Sequence, residues 1–170
     1  MFYVNYLGGE MPTATLNFSR NAFQVSVQYY QFLRLGVEGY TRVMRHTLDN
    51  AIFLRQRLVD SGYFDIMNTT QRIPVVAVTL NKKFANFNEF DVSNKVREKG
   101  WVLSAYTMPP NAESVTSLRV VVRPHINHNV SCLLADDIIN ACHFLKMNGG
   151  NAKPPELHKH PHAQSTQLKC

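Results

Sequence analysis

The residues best suited to chemistry in this sequence are those that bind anions. Ser19 and Arg20 follow an extended stretch and precede a long helical pattern. Because the first turn of a helix offers unpaired N–H groups and a partial positive charge, this placement predicts an anion site. The alternative is that Ser19 acts only as the N-cap of the helix, a position where serine is favoured.

Arg119 and Arg123 form the second candidate, in a segment rich in β-branched residues. The two arginines are four residues apart, so a strand would place them on the same face. An arginine within a strand needs a partner, and its planar fork fits a carboxylate through two hydrogen bonds. We therefore expect carboxylate binding here. The alternative is an edge-strand arginine that pairs with a structural acid.

His158, His160 and His162 form a third cluster, near the C-terminus. Histidine-rich tracts can bind metals, but Pro161 interrupts any helix there and no second cluster supplies further ligands. We therefore predict no specific metal site. The sequence also lacks paired catalytic carboxylates, a nucleophile elbow and a glycine-rich phosphate loop, so spacing alone names no activity.

Composition narrows the class of protein. The 170 residues carry a formal net charge of +6, and 45% of them are hydrophobic, which is typical of one globular domain or a piece of a larger one. Basic residues are spread without interleaved aromatics, so nucleic-acid binding is not expected. No long apolar run or secretory pattern occurs, so no membrane segment is expected. Cys132, Cys142 and Cys170 form no C-x-x-C pair, which favours a reducing, cytoplasmic compartment.

A long helix must position the first candidate. Apolar residues from Leu33 to Ala51 recur at steps of three and four, and this period predicts a helix over residues 22–62. About forty helical residues would span about 60 Å, so this helix must cross a domain boundary or a subunit interface. Gly36 and Gly39 lie inside the pattern, where they either break it into two helices or admit another backbone.

The second candidate lies in a smaller unit of strands and helices. Before the long helix, residues 1–12 are expected to be irregular and residues 13–18 extended. After it, the pattern predicts an α+β unit with an antiparallel or mixed sheet covered by helices. The expected strands are 63–67, 73–80, 101–106 and 115–122, and the expected helices are 88–99 and 129–147.

Five segments follow one another in an order that is typical of one family. They are Tyr6–Glu10, Leu16–Arg20, Gln28–Tyr40, Tyr106–Ala112 and Leu118–Arg123. Over residues 4–147 the chain resembles glutamate decarboxylase, a group II pyridoxal-phosphate-dependent decarboxylase. The Tyr-Thr-Met-Pro-Pro element is closest to the plant-type branch of that family.

The resemblance implies a fold, an activity and a cofactor. The family has the aspartate-aminotransferase-like fold, fold type I, and uses pyridoxal 5′-phosphate to convert L-glutamate to 4-aminobutanoate and carbon dioxide. Only the C-terminal third of such an enzyme is covered, so the α+β unit would be its small domain. The family's Schiff-base lysine lies before the segment that resembles Tyr6–Glu10. We therefore expect no catalytic residue in this chain and no activity from it alone.

The resemblance also implies roles for three residues. Arg119 matches the arginine that holds the α-carboxylate of the substrate. Ser19 matches the serine that reaches the cofactor phosphate of the neighbouring subunit, and Phe18 beside it lines that pocket and is expected to bind substrate. The partners implied are L-glutamate and a second subunit of a homo-oligomer. The tail has no tryptophan among basic residues, so calmodulin binding is not expected.

The expected organisation has four parts. These are a remnant of the large cofactor-binding domain, a linking helix, the small domain and a flexible histidine-containing tail, over residues 1–21, 22–62, 63–147 and 148–170. Two alternatives stay open. The chain could be a non-enzymatic domain that associates with full-length subunits, or part of a related group II decarboxylase that acts on another acid.

Overall fold

The computed structural model describes residues 2–6, 9–13, 22–68, 70, 72–109 and 111–151, with the backbone alone described for 2–13. Two short strands precede a long helix, after which strands and helices alternate. In chain order the elements are β1 (Phe2–Tyr6), β2 (Gly9–Thr13), α1 (Phe23–Asp60), β3 (Phe64–Ile66), β4 (Val75–Leu80), α2 (Glu89–Arg97), β5 (Ser104–Thr107), β6 (Thr116–Val121) and α3 (His128–Asn148).

Helix α1 matches the long helix predicted over residues 22–62, but it is interrupted at Gly36. The backbone of Gly36 has φ 56° and ψ −172°, a conformation that only glycine adopts without strain. The interruption divides α1 into two helical halves, 23–35 and 37–60. Within the described part of the chain, a Cβ atom added at Gly36 would have no neighbour within 4 Å. The positive φ of the glycine is therefore what the break requires, and no described backbone approaches it closely.

The four later strands form one antiparallel sheet in the order β3-β4-β6-β5. The predicted α+β class is confirmed, and of the two sheet types left open the structure has the antiparallel one. Strand β5 begins only at Ser104, so the expected strand start at Trp101 is wrong. The expectation of an irregular stretch over residues 1–12 is also wrong, because β1 pairs antiparallel with β2 and Tyr6 lies opposite Gly9.

The core lies between one face of the sheet and the three helices. Alternate residues of β4 and β6 point inward and are buried, as half-buried strands require. Each helix adds an apolar stripe to the same core. Its largest buried members include Leu54, Leu58, Val76, Val78, Val96, Leu118 and Ile138.

The buried carboxylate of Glu89 connects the helical layer to the sheet. Its Oε1 atom accepts hydrogen bonds from the backbone N–H of Leu80 at 2.7 Å and from the Thr79 hydroxyl at 3.0 Å. Its Oε2 atom accepts a hydrogen bond from the hydroxyl of Thr116. These bonds join the first residue of α2 to the end of β4 and the start of β6. The Asn88 side chain caps the helix at the same point.

We predict that Glu89→Gln destabilises the fold. The amide replaces one acceptor oxygen with a donor that faces other donors, and such a mismatch costs about 1–3 kcal/mol of unfolding free energy. Urea unfolding followed by circular dichroism measures this change. Glu113→Gln is the matched control, since Glu113 is exposed, and it should change stability by less than about 0.5 kcal/mol. Equal stabilities of the two variants would contradict the role assigned to Glu89.

Candidate functional site

Arg119 lies in the interior of the sheet. It is on β6, paired with Ala77 of β4 on one side and with Ser104 of β5 on the other. The alternative of an edge-strand arginine is therefore wrong. Because Leu118 and Val120 point into the core, alternation directs the Arg119 side chain to the opposite face.

The guanidinium group of Arg119 forms no ion pair in the described part of the chain. Its Nε atom is buried and makes no hydrogen bond. The ion pairs found among the described residues are Glu38–Arg42, Arg57–Asp136 and Lys95–Glu98, and none of them includes Arg119. A buried charged donor without an acceptor is unfavourable. The unpaired Nε–H group of Arg119 is explained if a ligand supplies the hydrogen-bond acceptor.

Arg119 lines a groove of about 440 Å³ that also contacts residues before β5, after β6 and on α3. Arg123 and His125 line the same groove, and among the described residues no aspartate, glutamate or lysine does. Both arginines line this groove, but β6 ends at Val121, so Arg123 lies beyond the strand and the expectation that both arginines lie on one strand face does not apply to it. Cationic groups without nearby carboxylates attract anions. The remaining lining is Trp101, Val102, Leu103, Ser104, Val120, Val121, Val122, Ile126 and Leu134.

The sequence analysis did not identify His125 or Trp101 as residues of this groove. His125 follows Arg123 by two residues, so its type and proximity were a usable signal. Trp101 lies 18 positions before Arg119 in the sequence, and only the three-dimensional structure shows that they share a groove. Such contacts between distant residues are not visible in local patterns.

The first candidate from the sequence is the anion site at Ser19 and Arg20. Phe18, Ser19 and Arg20 lie outside the described residues, as do His158, His160 and His162. Helix α1 has Ala22 as its N-cap, so the alternative that Ser19 caps this helix is wrong. The anion site at Ser19 and the pocket role of Phe18 stay predictions.

A second, larger groove lies along α1 where Gly36 interrupts the helix. Its volume is about 650 Å³, and its wall is mainly apolar, with Arg45 and Arg72 as its charged residues. Apolar residues from both halves of α1 line it together with Pro74. Among the described residues, no buried unpaired polar atom lies in its wall. The groove therefore offers apolar contact area rather than a group that requires a polar ligand.

The buried thiol of Cys142 is not suited to nucleophilic catalysis. Cys132 and Cys142 are both free thiols. Burial raises the pKa of Cys142 from its ordinary value of 9.0 to about 12. Since the unfolded chain ionises this thiol first, its effect on stability is absent below pH 9 and becomes unfavourable as the pH rises toward 12.

Tyr63 lies beside this thiol and joins β3 to α3. Its hydroxyl oxygen is 2.8 Å from Nδ1 of His143. Burial raises the pKa of Tyr63, and a negative charge on Cys142 would raise it further. The pair connects two elements of the fold and lies apart from both grooves, so we assign it a structural role.

The described residues form neither a metal-binding cluster nor a membrane-spanning helix. Within the described ranges, no group of three or more histidine, cysteine, aspartate or glutamate residues could hold a metal ion. None of the helices described is both long and apolar enough to cross a lipid bilayer.

Comparison with protein families matches residues 1–81 to the pyridoxal-dependent decarboxylase conserved domain. Glutamate decarboxylase of Petunia hybrida is 45% identical over 145 residues, which are 85% of this chain and 29% of that protein. Glutamate decarboxylase of Solanum lycopersicum is 44% identical over 138 residues, or 81% of this chain and 27% of that protein. The resemblance stated from the sequence motifs is confirmed. The chain nevertheless spans less than a third of the length of these relatives.

The fold has a match among solved structures. Glutamate decarboxylase of Lactobacillus brevis superposes with a TM-score of 0.73 and 32% sequence identity. The match covers 89% of this chain and 34% of that chain. The expected fold, that of part of a fold type I enzyme, is therefore confirmed.

We predict that Cys142 resists alkylation in the folded protein. With a pKa of about 12, about one Cys142 thiol in 10⁴ is ionised at pH 8, against about one in ten at the ordinary pKa. Unfolding in urea should therefore increase the iodoacetamide rate about 1000-fold, as measured by peptide mass spectrometry. Cys132 in the same sample is the control and should change less, because it is only partly buried. Equal Cys142 rates in folded and unfolded chains would contradict the raised pKa.

Proposed function

We propose that this chain is the C-terminal part of a pyridoxal-phosphate-dependent glutamate decarboxylase, which converts L-glutamate to 4-aminobutanoate and carbon dioxide. Two independent lines support the proposal. One is the similarity to plant and bacterial glutamate decarboxylases over most of the chain. The other is an arginine with an unpaired buried nitrogen in a groove that no carboxylate of the described residues lines.

Arg119 is the observation on which the proposal depends most. Its fork can take the α-carboxylate of glutamate through two parallel hydrogen bonds. Strand β6 is hydrogen-bonded on both sides, so the backbone that carries this fork is held in place. With the cofactor bound, a carboxylate fixed in this way would be held in a set orientation for cleavage of its bond to the α-carbon, and such positioning lowers the barrier to that cleavage. Arg119 therefore binds and orients the group that leaves.

The described residues fit the substrate better than they fit the cofactor. Bound pyridoxal phosphate would supply the electron sink for decarboxylation. Among the described residues, no lysine lines the Arg119 groove, and Ser19, the residue proposed to contact the cofactor phosphate, lies outside the described residues. We therefore propose that the Schiff-base lysine and most of the cofactor contacts come from protein outside these 170 residues.

The proposed organisation keeps residues 1–21 as part of the cofactor domain, 22–62 as a link, 63–147 as the small domain and 148–170 as a tail. Support for the link comes from the first half of α1, whose large apolar side chains are exposed on most sides. A helix of this kind is stable where other protein covers it. The exposed residues are Phe23, Val25, Val27, Tyr29, Tyr30, Phe32 and Leu33.

The same apolar surface would serve the alternative function, a non-enzymatic domain that binds complete subunits. Large exposed apolar patches mark interaction sites. In either case we propose a homo-oligomeric assembly in the cytoplasm, where free thiols such as Cys132 and Cys142 are stable.

We predict that Arg119→Lys weakens binding of L-glutamate to the chain. Lysine keeps the charge but loses the bidentate fork, so the dissociation constant should rise about tenfold. Chemical-shift titration of the ¹⁵N-labelled chain with L-glutamate measures the constant. Arg97→Lys is the matched control, because Arg97 is exposed on α2 and does not line the groove. An unchanged constant for Arg119→Lys would remove the main support for the proposal.

We also predict that the isolated chain does not complete the reaction. With added pyridoxal phosphate it should form no borohydride-reducible bond at a single lysine and release no carbon dioxide from glutamate. Mass spectrometry after reduction and a carbon dioxide assay test the two points, with the Lactobacillus brevis enzyme as the positive control. Turnover together with one modified lysine would show that the whole site lies within these 170 residues.

A further inference from the structure

Tyr106 contacts Arg119 across two neighbouring strands. The Cζ atom of Arg119 lies over the Tyr106 ring, 5.7 Å from its centroid. This distance is within the range of a cation–π interaction, in which the negative face of the ring attracts the guanidinium group. Both side chains are partly buried, so water screens the attraction less than it would on an open surface.

The strand register explains why these two side chains meet. Tyr106 is paired with Ser117, and Arg119 is paired with Ser104. On this face a large side chain therefore lies opposite a small one at each of two successive positions. The serines leave space for the two long side chains to meet along the diagonal, which is within reach of aromatic and long residues. The contact follows from the register and from the residue types together.

The Tyr106 ring compensates for the hydrogen-bond and ion-pair partners that the Arg119 guanidinium group lacks among the described residues. The Nε atom of Arg119 is buried without a hydrogen-bond partner, and no described carboxylate forms an ion pair with this side chain. In the described part of the chain, the Tyr106 ring is the group found to attract the guanidinium electrostatically. A side chain held by a ring face keeps its outer nitrogens available to a ligand. An acid in the same place would occupy them.

We propose that Tyr106 is a positioning residue that holds the Arg119 fork ready for a carboxylate. The inference rests on the proposed function, because it concerns the same arginine and the same carboxylate ligand. It attributes the effect to the aromatic ring and not to the hydroxyl group. Without the ring, Arg119 gains rotamer freedom that carboxylate binding must then remove, and this lowers affinity.

The test uses the ¹⁵N-labelled 170-residue chain and L-glutamate as the probe. Tyr106→Leu should raise the dissociation constant about fivefold or more, whereas Tyr106→Phe should stay within about twofold of the unchanged chain. Tyr40→Leu is the matched control, since Tyr40 also contacts another ring, that of Phe32, and lies outside the Arg119 groove. It should leave glutamate binding unchanged.

A second readout does not depend on the ligand or on the stability of the leucine variant. Protons of Arg119 that lie over the Tyr106 ring should resonate upfield of ordinary arginine positions in the unchanged chain and in Tyr106→Phe. Tyr106→Leu should remove this shift where the variant folds. Absence of the upfield shift in the unchanged chain would overturn the inference even if Tyr106→Leu failed to fold.

The outcomes separate this inference from the proposed function. If glutamate binds through Arg119 and Tyr106→Leu binds it equally well, the role of Tyr106 is overturned and the proposed function stands. If Tyr106→Phe weakens binding as much as Tyr106→Leu does, the hydroxyl is responsible and the ring mechanism is overturned. If the unchanged chain binds no glutamate, the carboxylate role of Arg119 fails and the inference fails with it.

Discussion

The position of Arg119 depends on how β4 and β6 are held together, and the Glu89 carboxylate contributes to that pairing from the end of the sheet. It accepts hydrogen bonds from the last two residues of β4 and from the first residue of β6. A buried charge satisfied by three donors fixes the positions of those donors, because leaving any one unpaired is unfavourable. The strand that carries Arg119 is therefore aligned by a group on a different element, which contacts the first residue of the strand.

Side chains along β6 alternate between two faces of the sheet, so the core residues lie on one face and Arg119 on the other. Leu118 and Val120 are buried in the core, while Arg119 between them faces the groove. A slip of one residue would exchange these faces, placing a charge in the core and leucine in the groove. The register with Ala77 and Ser104 is thus a condition for both the core and the site.

Much of this arrangement could be predicted from the sequence, because the strands from Val75 onward and helix α3 have strong patterns. Arg119 could be identified since an arginine among β-branched residues is unusual, and the resemblance then supplied its role. The groove could not be predicted, because it joins residues from β5, β6 and the following loop. Residues 1–12 were misjudged as irregular because two five-residue strands carry little alternation of polar and apolar side chains.

The central position of β6 in the sheet also affects how easily the backbone around Arg119 opens to solvent. Amides in a strand that is hydrogen-bonded on both sides exchange with solvent only through large openings of the structure. The arginine is therefore carried by one of the last parts of the fold to open, whereas most binding residues in proteins lie on loops. Loops around the groove can vary in length and sequence without moving Arg119. The carboxylate contact that we propose for Arg119 can thus persist while the other residues around the groove change during evolution.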